Sequence, residues 1–443
     1  MVTESLKAWM NGELVGTWLV DRNSHTFRYE PSWLESPRRR SLSLSLPISG
    51  SLEIKGQEVR NYFDNLLPDS DNIRSRLRRR FRLKSDEIFD LLEAIGRDCV
   101  GAVQLLPNGA SPEGWNRINC ESLSEHQIVE LLQAVPSDNE PESIDDDDLF
   151  RISIAGAQEK TALTKWKGKW CRPHGATPTT HILKLPLGLI GGSKRVDASD
   201  SVENEWLCAQ IVSALGLPVA LTSMATFGGQ KVLIVERFDR EWMNGQTWIA
   251  RLPQEDFCQA LGVGPEQKYE HRGGPGMQKC LQLLQGSADR DDTTTFLLTQ
   301  LAFALMAATD GHAKNFSIHL DRGDVYRMTP LYDILSMWPY FGDGAHQFKR
   351  RKASLAMAVR SKNAHYQLNT IQARPWKQLA AKHGGDIVWS AMIEFVASVD
   401  GALAKLERKL PYHFPARTWE SISTGMRSEA MRFLAEAELL ASI

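Results

Sequence analysis

The stretch from Thr293 to Thr309 carries Phe296, Leu297, Leu298, Leu301, Phe303, Leu305 and Met306 with little polar face between them, which predicts a helix buried in a core. Whatever follows must emerge from a rigid element. The next residues are Asp310-Gly-His-Ala-Lys-Asn315, after which Phe316 to Leu320 and Val325 to Met328 flank Asp321-Arg-Gly-Asp324 as strand, turn and strand. Such a hairpin returns Asp333, within Tyr332-Asp333-Ile334, to the side of Asn315. Taken singly, Asp310 reads as a helix cap and Asn315 as a turn residue. In this setting they place a carboxylate, an amide and a second carboxylate in the order that phosphoryl transfer from ATP uses. Asn315 and Asp333 offer the hard oxygen ligands that Mg²⁺ takes. Asp310 then faces the acceptor hydroxyl as the catalytic carboxylate, and His312, Ala313 and Lys314 of the same loop count among the ATP contacts.

A chain of 443 residues is expected to hold two or three domains with ordinary cores. The six cysteines, Cys99, Cys120, Cys171, Cys208, Cys258 and Cys280, are widely spaced without a C-x-x-C, which argues against a zinc ribbon or a disulfide framework and fits a reduced cytoplasm. No charged-plus-apolar leader pattern and no run of eighteen apolar residues stands out, so a soluble, cytoplasmic protein without a membrane partner is expected.

An N-terminal α/β subdomain opens with Leu6 to Met10, Asn11-Gly12 and Glu13 to Trp18, where Asn-Gly between apolar runs signals a hairpin. The acidic stretch Asp138 to Asp148 reads as a linker, which sets the expected domains at 1–145, 146–250 and 251–443. From Phe150 the pattern is strand-rich: Phe150 to Ile154, Lys160 to Trp166 and Thr180 to Leu185 read as antiparallel strands. A helix follows, expected to start with a capping box between Asp200 and Glu203 and to end at Gly216 and Pro218. Val219 to Phe227 and Lys231 to Val235 restore the sheet, and beyond Gln254 the chain is expected to be predominantly helical, an all-helical lobe but for the hairpin after Asn315. The fold class is therefore α+β: a protein-kinase-like bilobal fold with a β-rich nucleotide lobe.

Within that lobe, Ala155-Gly156-Ala157-Gln158-Glu159-Lys160 lies between two strands, where small residues let backbone N–H groups approach phosphates. Lys184 sits in the apolar strand His181 to Leu185, where an ammonium needs anionic partners such as phosphates and a helix carboxylate. Glu203 or Glu205 can supply that carboxylate, and Glu205 is favoured. Val232 to Glu236 leads into Arg237 and Phe238, the place for a hinge that contacts adenine, although a phenylalanine at a strand end is ordinarily core. The net charge of −2 hides basic clusters at Arg38, Arg39 and Arg40, at Arg74 to Lys84 including Arg78 and Arg79, and at Lys349 to Lys352. Each alone reads as a solvated face.

Ile152 to Thr161, Pro178 to Pro186, Val235 to Arg240, Arg251 to Asp256 and Ala308 to Phe316 resemble the corresponding motifs of the HipA family of toxin kinases. The similarity runs from Trp9-Met-Asn-Gly12 and Phe63 to Asp69 into the helical lobe and weakens after about residue 340. The resemblance implies a serine/threonine protein kinase that uses Mg²⁺ and ATP to phosphorylate glutamyl-tRNA synthetase, causing growth arrest and multidrug tolerance. It implies a partner as well, a dimeric helix-turn-helix antitoxin of HipB type with which the toxin represses its own operon on operator DNA; the basic clusters are then candidate DNA contacts. By the same resemblance Ser153 is an autophosphorylation site and Leu187 to Asp197 the counterpart of an activation loop. Unlike ordinary protein kinases the chain has no G-x-G-x-x-G, no Arg before Asp310, and Tyr-Asp-Ile in place of D-F-G. Two other readings are a small-molecule phosphotransferase, separable by acceptor preference, and a silent antitoxin-binding corepressor, against which Lys184, Asp310, Asn315 and Asp333 all stand.

Overall fold

Asn11 and Gly12 both adopt left-handed backbone, φ +44° and +83°, so the chain reverses in two residues between strands Glu4–Met10 and Glu13–Asp21. This hairpin begins the computed structural model, which describes residues 4–136 and 158–442. Ser24–Tyr29, Glu53–Lys55 and Val103–Pro107 complete an antiparallel five-stranded sheet. Its alternating Leu6, Ala8 and Met10 and its Trp18 and Phe27 face the helices Gln57–Asp64 and Ile88–Ile95, where Trp18 stacks on Phe63 with centroids 4.1 Å apart.

The chain divides into two compact units that are discontinuous in sequence. One is drawn from Met1–Leu185, Ala225–Lys268 and Ser317–Tyr326, the other from Pro186–Met224, Tyr269–Phe316 and Arg327–Ile443. The first also holds most of a six-stranded sheet, ordered Thr222–Phe227, Gln230–Glu236, His181–Lys184, Lys160–Trp166, Lys169–Pro173 and Cys120–Ser122. Its apolar side packs Leu163, Leu183 and Val232 on Ile128 and Leu132 of the helix Glu125–Ala134. The strand Cys120–Ser122 and this helix thus join the second sheet from a point ahead of the acidic stretch. The expected strand Phe150 to Ile154 lies outside the described residues.

An ionic cluster fixes the two sheets of this unit to each other. Asp98 is buried among Arg237, Arg240 and Arg251, with N–O distances of 3.3, 3.0 and 3.1 Å, and Asp239 bridges Arg237 and Arg240 at 2.8 and 2.9 Å. Burial raises the Asp98 carboxyl, but Arg240, Arg237 and Arg251 outweigh it and hold the group below the usual range. The Asn11 side chain joins them by exchanging two hydrogen bonds with the Arg251 backbone, at 2.8 and 2.9 Å.

In the second unit the helix Ser201–Ala214 differs from expectation at its start. Asp200 makes no side-chain cap; its two carboxylate oxygens accept from Tyr340 Oη at 2.9 Å and Thr418 Oγ1 at 2.6 Å, so tertiary hydroxyls have taken the oxygens that a capping box would use. The C-terminal region is not all helix either. Ser354–Arg360 pairs with Ala364–Gln367 in a hairpin whose first strand buries Leu355 to Val359 without a break, and an unbroken apolar run hides the period of a strand. The segment Gly385–Glu407 is long and apolar enough to cross a membrane by length and composition. Here it is two helices, Gly385–Ala397 and Val399–Glu407, that bury Met392, Val396, Val399 and Leu403 and pack on Ala416–Ala441.

Candidate active site

The helix Asp292–Met306 is buried as expected but ends three residues early, at Ala307, whose φ of +51° turns the chain out of the helix. Gly311 follows, and a Cβ there would lie 2.4 Å from the Phe303 ring, so the loop can pass the helix end only with glycine. Asn315 Nδ2 donates to the Asp310 carbonyl at 2.8 Å, the His312 N–H to the same carbonyl at 2.8 Å, and Tyr332 Oη to the Lys314 carbonyl at 2.9 Å. The Asp310–Asn315 loop is thereby closed on itself and tied to the segment that carries Asp333. His312, Ala313, Lys314 and Asn315 are buried, whereas the Asp310 side chain is 65 % exposed.

The Asp310 carboxylate is held by a residue the sequence reading missed. Tyr269 Oη donates to Asp310 Oδ1 at 2.6 Å, and its ring stands edge-on to His312, centroids 4.9 Å apart, with His312 Nε2 3.9 Å from Asp310 Oδ2. Nothing around Tyr269 signals this, because the contact spans 41 residues of sequence. Asp333 lies in left-handed backbone at φ +60°, an unfavourable conformation for a non-glycine residue and one concentrated at functional sites. The donor set suits a magnesium ion. With its Nδ2 committed to a carbonyl, Asn315 has Oδ1 left to offer, and Asp333 adds an exposed carboxylate.

The first unit holds the other expected residues. Lys184 is only 6 % exposed, in register with Lys160 on one neighbouring strand and Leu233 on the other. Leu185 is pinned to the strand before it: Gln158 Nε2 donates to its carbonyl at 2.6 Å and its N–H donates to the Glu159 carbonyl at 3.2 Å. The Glu159 carboxylate pairs with Arg76 at 2.8 Å. Glu236 is exposed at its strand end, and Phe238 packs edge-on against His319. Arg237 departs from the expected hinge role: its side chain belongs to the buried Asp98 cluster and its N–H donates to Thr180. Ser153, Ala155, Gly156 and Ala157 lie outside the described residues. In the second unit Glu203 and Glu205 are both buried, either side of Asn204, whose amide is bonded to the backbone of Ser336 in both directions at 2.8 and 3.0 Å.

The basic clusters divide by what they already hold. Arg38 pairs with Glu13 at 3.0 Å, Arg39 donates to the Leu34 carbonyl, and Arg40 donates to the Leu320 carbonyl at 3.1 Å. Arg78 and Arg79 project from the last turn of the helix Asp71–Arg80, which buries none of its residues. Lys349 pairs with Asp343 at 2.9 Å, and Arg350 with Glu429.

An exposed aspartate, an asparagine five residues on and a strained aspartate beyond a hairpin, on an α+β fold, define an enzyme of the kinase class. Comparison with known proteins places it further. A family model described as the HipA-like C-terminal domain matches residues 152–406, and one described as the HipA N-terminal domain matches 6–106. A protein of Sinorhizobium fredii named "Putative kinase Y4mE" is 35 % identical over 347 residues, covering 77 % of this chain and 79 % of that protein. The serine/threonine-protein kinase toxin HipA of Shewanella oneidensis is 26 % identical over 435 residues, 92 % of this chain and 90 % of its own. The structure of Shewanella oneidensis HipA in complex with HipB and operator DNA superposes with a TM-score of 0.80 at 23 % identity, covering 99 % of each chain. The chain belongs to the HipA family of serine/threonine kinase toxins.

Proposed function

We propose that this chain transfers the γ-phosphate of Mg-ATP to a hydroxyl of a protein substrate, with Asp310 as the group that accepts the hydroxyl proton. The observation that carries this reading is the closed Asp310–Asn315 loop, with its exposed carboxylate oriented by Tyr269 and its Asn315 amide turned by the Asp310 carbonyl. Asn315 and Asp333 would hold the magnesium ion, which neutralises phosphate charge when bound. Lys184, kept in a buried strand, takes the phosphates. Gln158 to Lys160, Glu236, Phe238, and His312, Ala313 and Lys314 complete the nucleotide contacts.

By kinship, the acceptor is glutamyl-tRNA synthetase, the partner a HipB-type helix-turn-helix dimer that carries the complex onto operator DNA, and Ser153 an autophosphorylation site that switches the kinase off. A phosphate adds roughly −1.5 to −2 charges, and on Ser153, close in sequence to Gln158 to Lys160, it would compete with ATP for the same cations. Purified protein incubated with Mg-ATP and glutamyl-tRNA synthetase should phosphorylate the synthetase and, separately, Ser153, with parallel loss of ATP binding. Transfer only to small hydroxyl compounds would refute the protein-kinase reading, and a fully active Ser153-phosphorylated enzyme would refute the self-control.

A further inference from the structure

The second unit carries a cleft of about 510 Å³, walled on one side by the segment Leu187 to Asp197 and lined among others by Leu189, Arg195, Asp197, Tyr340, His346 and Arg417. We propose that this cleft docks an acidic segment of the protein that the kinase phosphorylates; the assignment rests on the protein-kinase reading above. Arg195 and Arg417 present planar guanidinium forks suited to carboxylates. Among the described residues Asp197 is the one carboxylate in the lining; it accepts from the Ser199 N–H at 3.0 Å and is attracted by Arg417, which leaves one arginine charge unbalanced. The cleft is therefore left with surplus positive charge, beside Leu189, which is 55 % exposed and offers an apolar contact to an incoming chain.

The walls are built rather than incidental. Strands Gly188–Ile190 and Val196–Ala198 form a short hairpin whose Val196 and Ala198 pack on Tyr340. The loop at its tip lies so close to Phe348 that a Cβ on Gly191 would sit 2.7 Å from the ring. His346 Nδ1 is 2.8 Å from the Lys194 carbonyl, and Arg417 donates to the Pro339 carbonyl at 2.8 Å. Arg195 is held at φ +48°, in the left-handed region that is unfavourable for a non-glycine residue. A glycine would remove that cost, and the loop keeps an arginine there.

The cleft is also within a peptide's reach of the reacting group. Tyr340 is seven residues beyond Asp333, at most about 25 Å of chain. The segment between them is stitched to the helix that feeds Asp310: Ser336 Oγ donates to the Met306 carbonyl at 2.6 Å, Met337 N–H to the Ala307 carbonyl at 3.1 Å, and Trp338 Nε1 to the Leu305 carbonyl at 2.9 Å. An extended acceptor spanning that distance places its acidic residue about seven positions or fewer from the phosphorylated hydroxyl.

The test uses the full-length protein and a fluorescent serine peptide bearing glutamates within seven residues of the serine, beside the same peptide with glutamines. The glutamate peptide should bind at least about tenfold more tightly by anisotropy, and Arg195→Ala and Arg417→Ala should each remove most of that difference. With Mg-ATP, both substitutions should raise KM for the glutamate peptide while kcat changes less than about twofold, the signature of lost uniform binding. Arg195→Ala keeps the test sound should Arg417→Ala lose its bond to Pro339 and unfold. Equal affinity for the two peptides, or undiminished affinity in both variants, overturns the proposal, as does displacement of the peptide by a DNA duplex at equal charge concentration. Tight binding of the glutamate peptide without phosphate transfer to it would instead refute the protein-kinase reading.

Discussion

Asp310 and Tyr269 make the sharpest prediction at the scale of single residues. Asp310→Asn keeps the loop's backbone bonds and removes the proton acceptor, so kcat should fall by about 10²–10⁴ while ATP affinity holds, measured as phosphate transfer beside nucleotide titration. Tyr269→Phe leaves Asp310 ionisable but without its 2.6 Å donor; kcat should fall by about tenfold, and a wild-type kcat would show that the hydroxyl does not orient the carboxylate. Glu255 gives a prediction about stability. Burial pushes its carboxyl up to about 8, partly offset by Ser43 and the Leu44 N–H, with Asp256 and Asp324 adding to the rise. The folded state thus holds a proton that the unfolded chain releases near pH 4.5, and stability from this group is lost as pH rises from there through about 8. Glu255→Gln should flatten that slope, raising the melting temperature at pH 8 by about 2–4 °C for each kcal/mol recovered and leaving it little changed at pH 4.

At the scale of elements, the Asp98 cluster is the part of the fold that one substitution should hurt most. Asp98→Ala leaves Arg237, Arg240 and Arg251 buried without their shared anion, at a cost of about 3–5 kcal/mol that denaturant unfolding would register. Neither end of this cluster was legible beforehand. Nothing in the sequence singles out Asp98, and Arg237 reads as part of a hinge, because a charge at sequence distance 139 from its partner leaves no local pattern. What was legible had a local cause: Asn11-Gly12 demands a left-handed turn and makes one. The buried helix before Asp310 and the hairpin after Asn315 were likewise legible from unbroken apolarity and from Asp-Arg-Gly-Asp. The hairpin of Ser354–Arg360 and Ala364–Gln367 was not, since its first strand is apolar on both faces. Of the site, the loop from Asp310 to Asn315 was readable, and Tyr269 was not.

For the whole molecule, a net charge of −2 leaves nucleic-acid attraction to local clusters, of which Arg78 and Arg79 stand exposed on the last turn of the helix Asp71–Arg80. If the complex with antitoxin and operator seats Arg78 and Arg79 on phosphates, the double alanine variant should lower the salt slope of assembly by about 1.8, at about 0.9 per lost contact. An unchanged slope would assign them to solvent. The first unit also carries a consequence for biosynthesis. Its Gln254–Asp256 strand pairs with Ser317–Leu320, and Ser41 is bonded to Asp324, so this body is incomplete until residue 326 has been made. At about 5–20 residues per second, a nascent chain spends roughly 15–65 s on the ribosome with that body open, and truncated translation products ending before Ser317 should be degraded rather than accumulate as folded fragments.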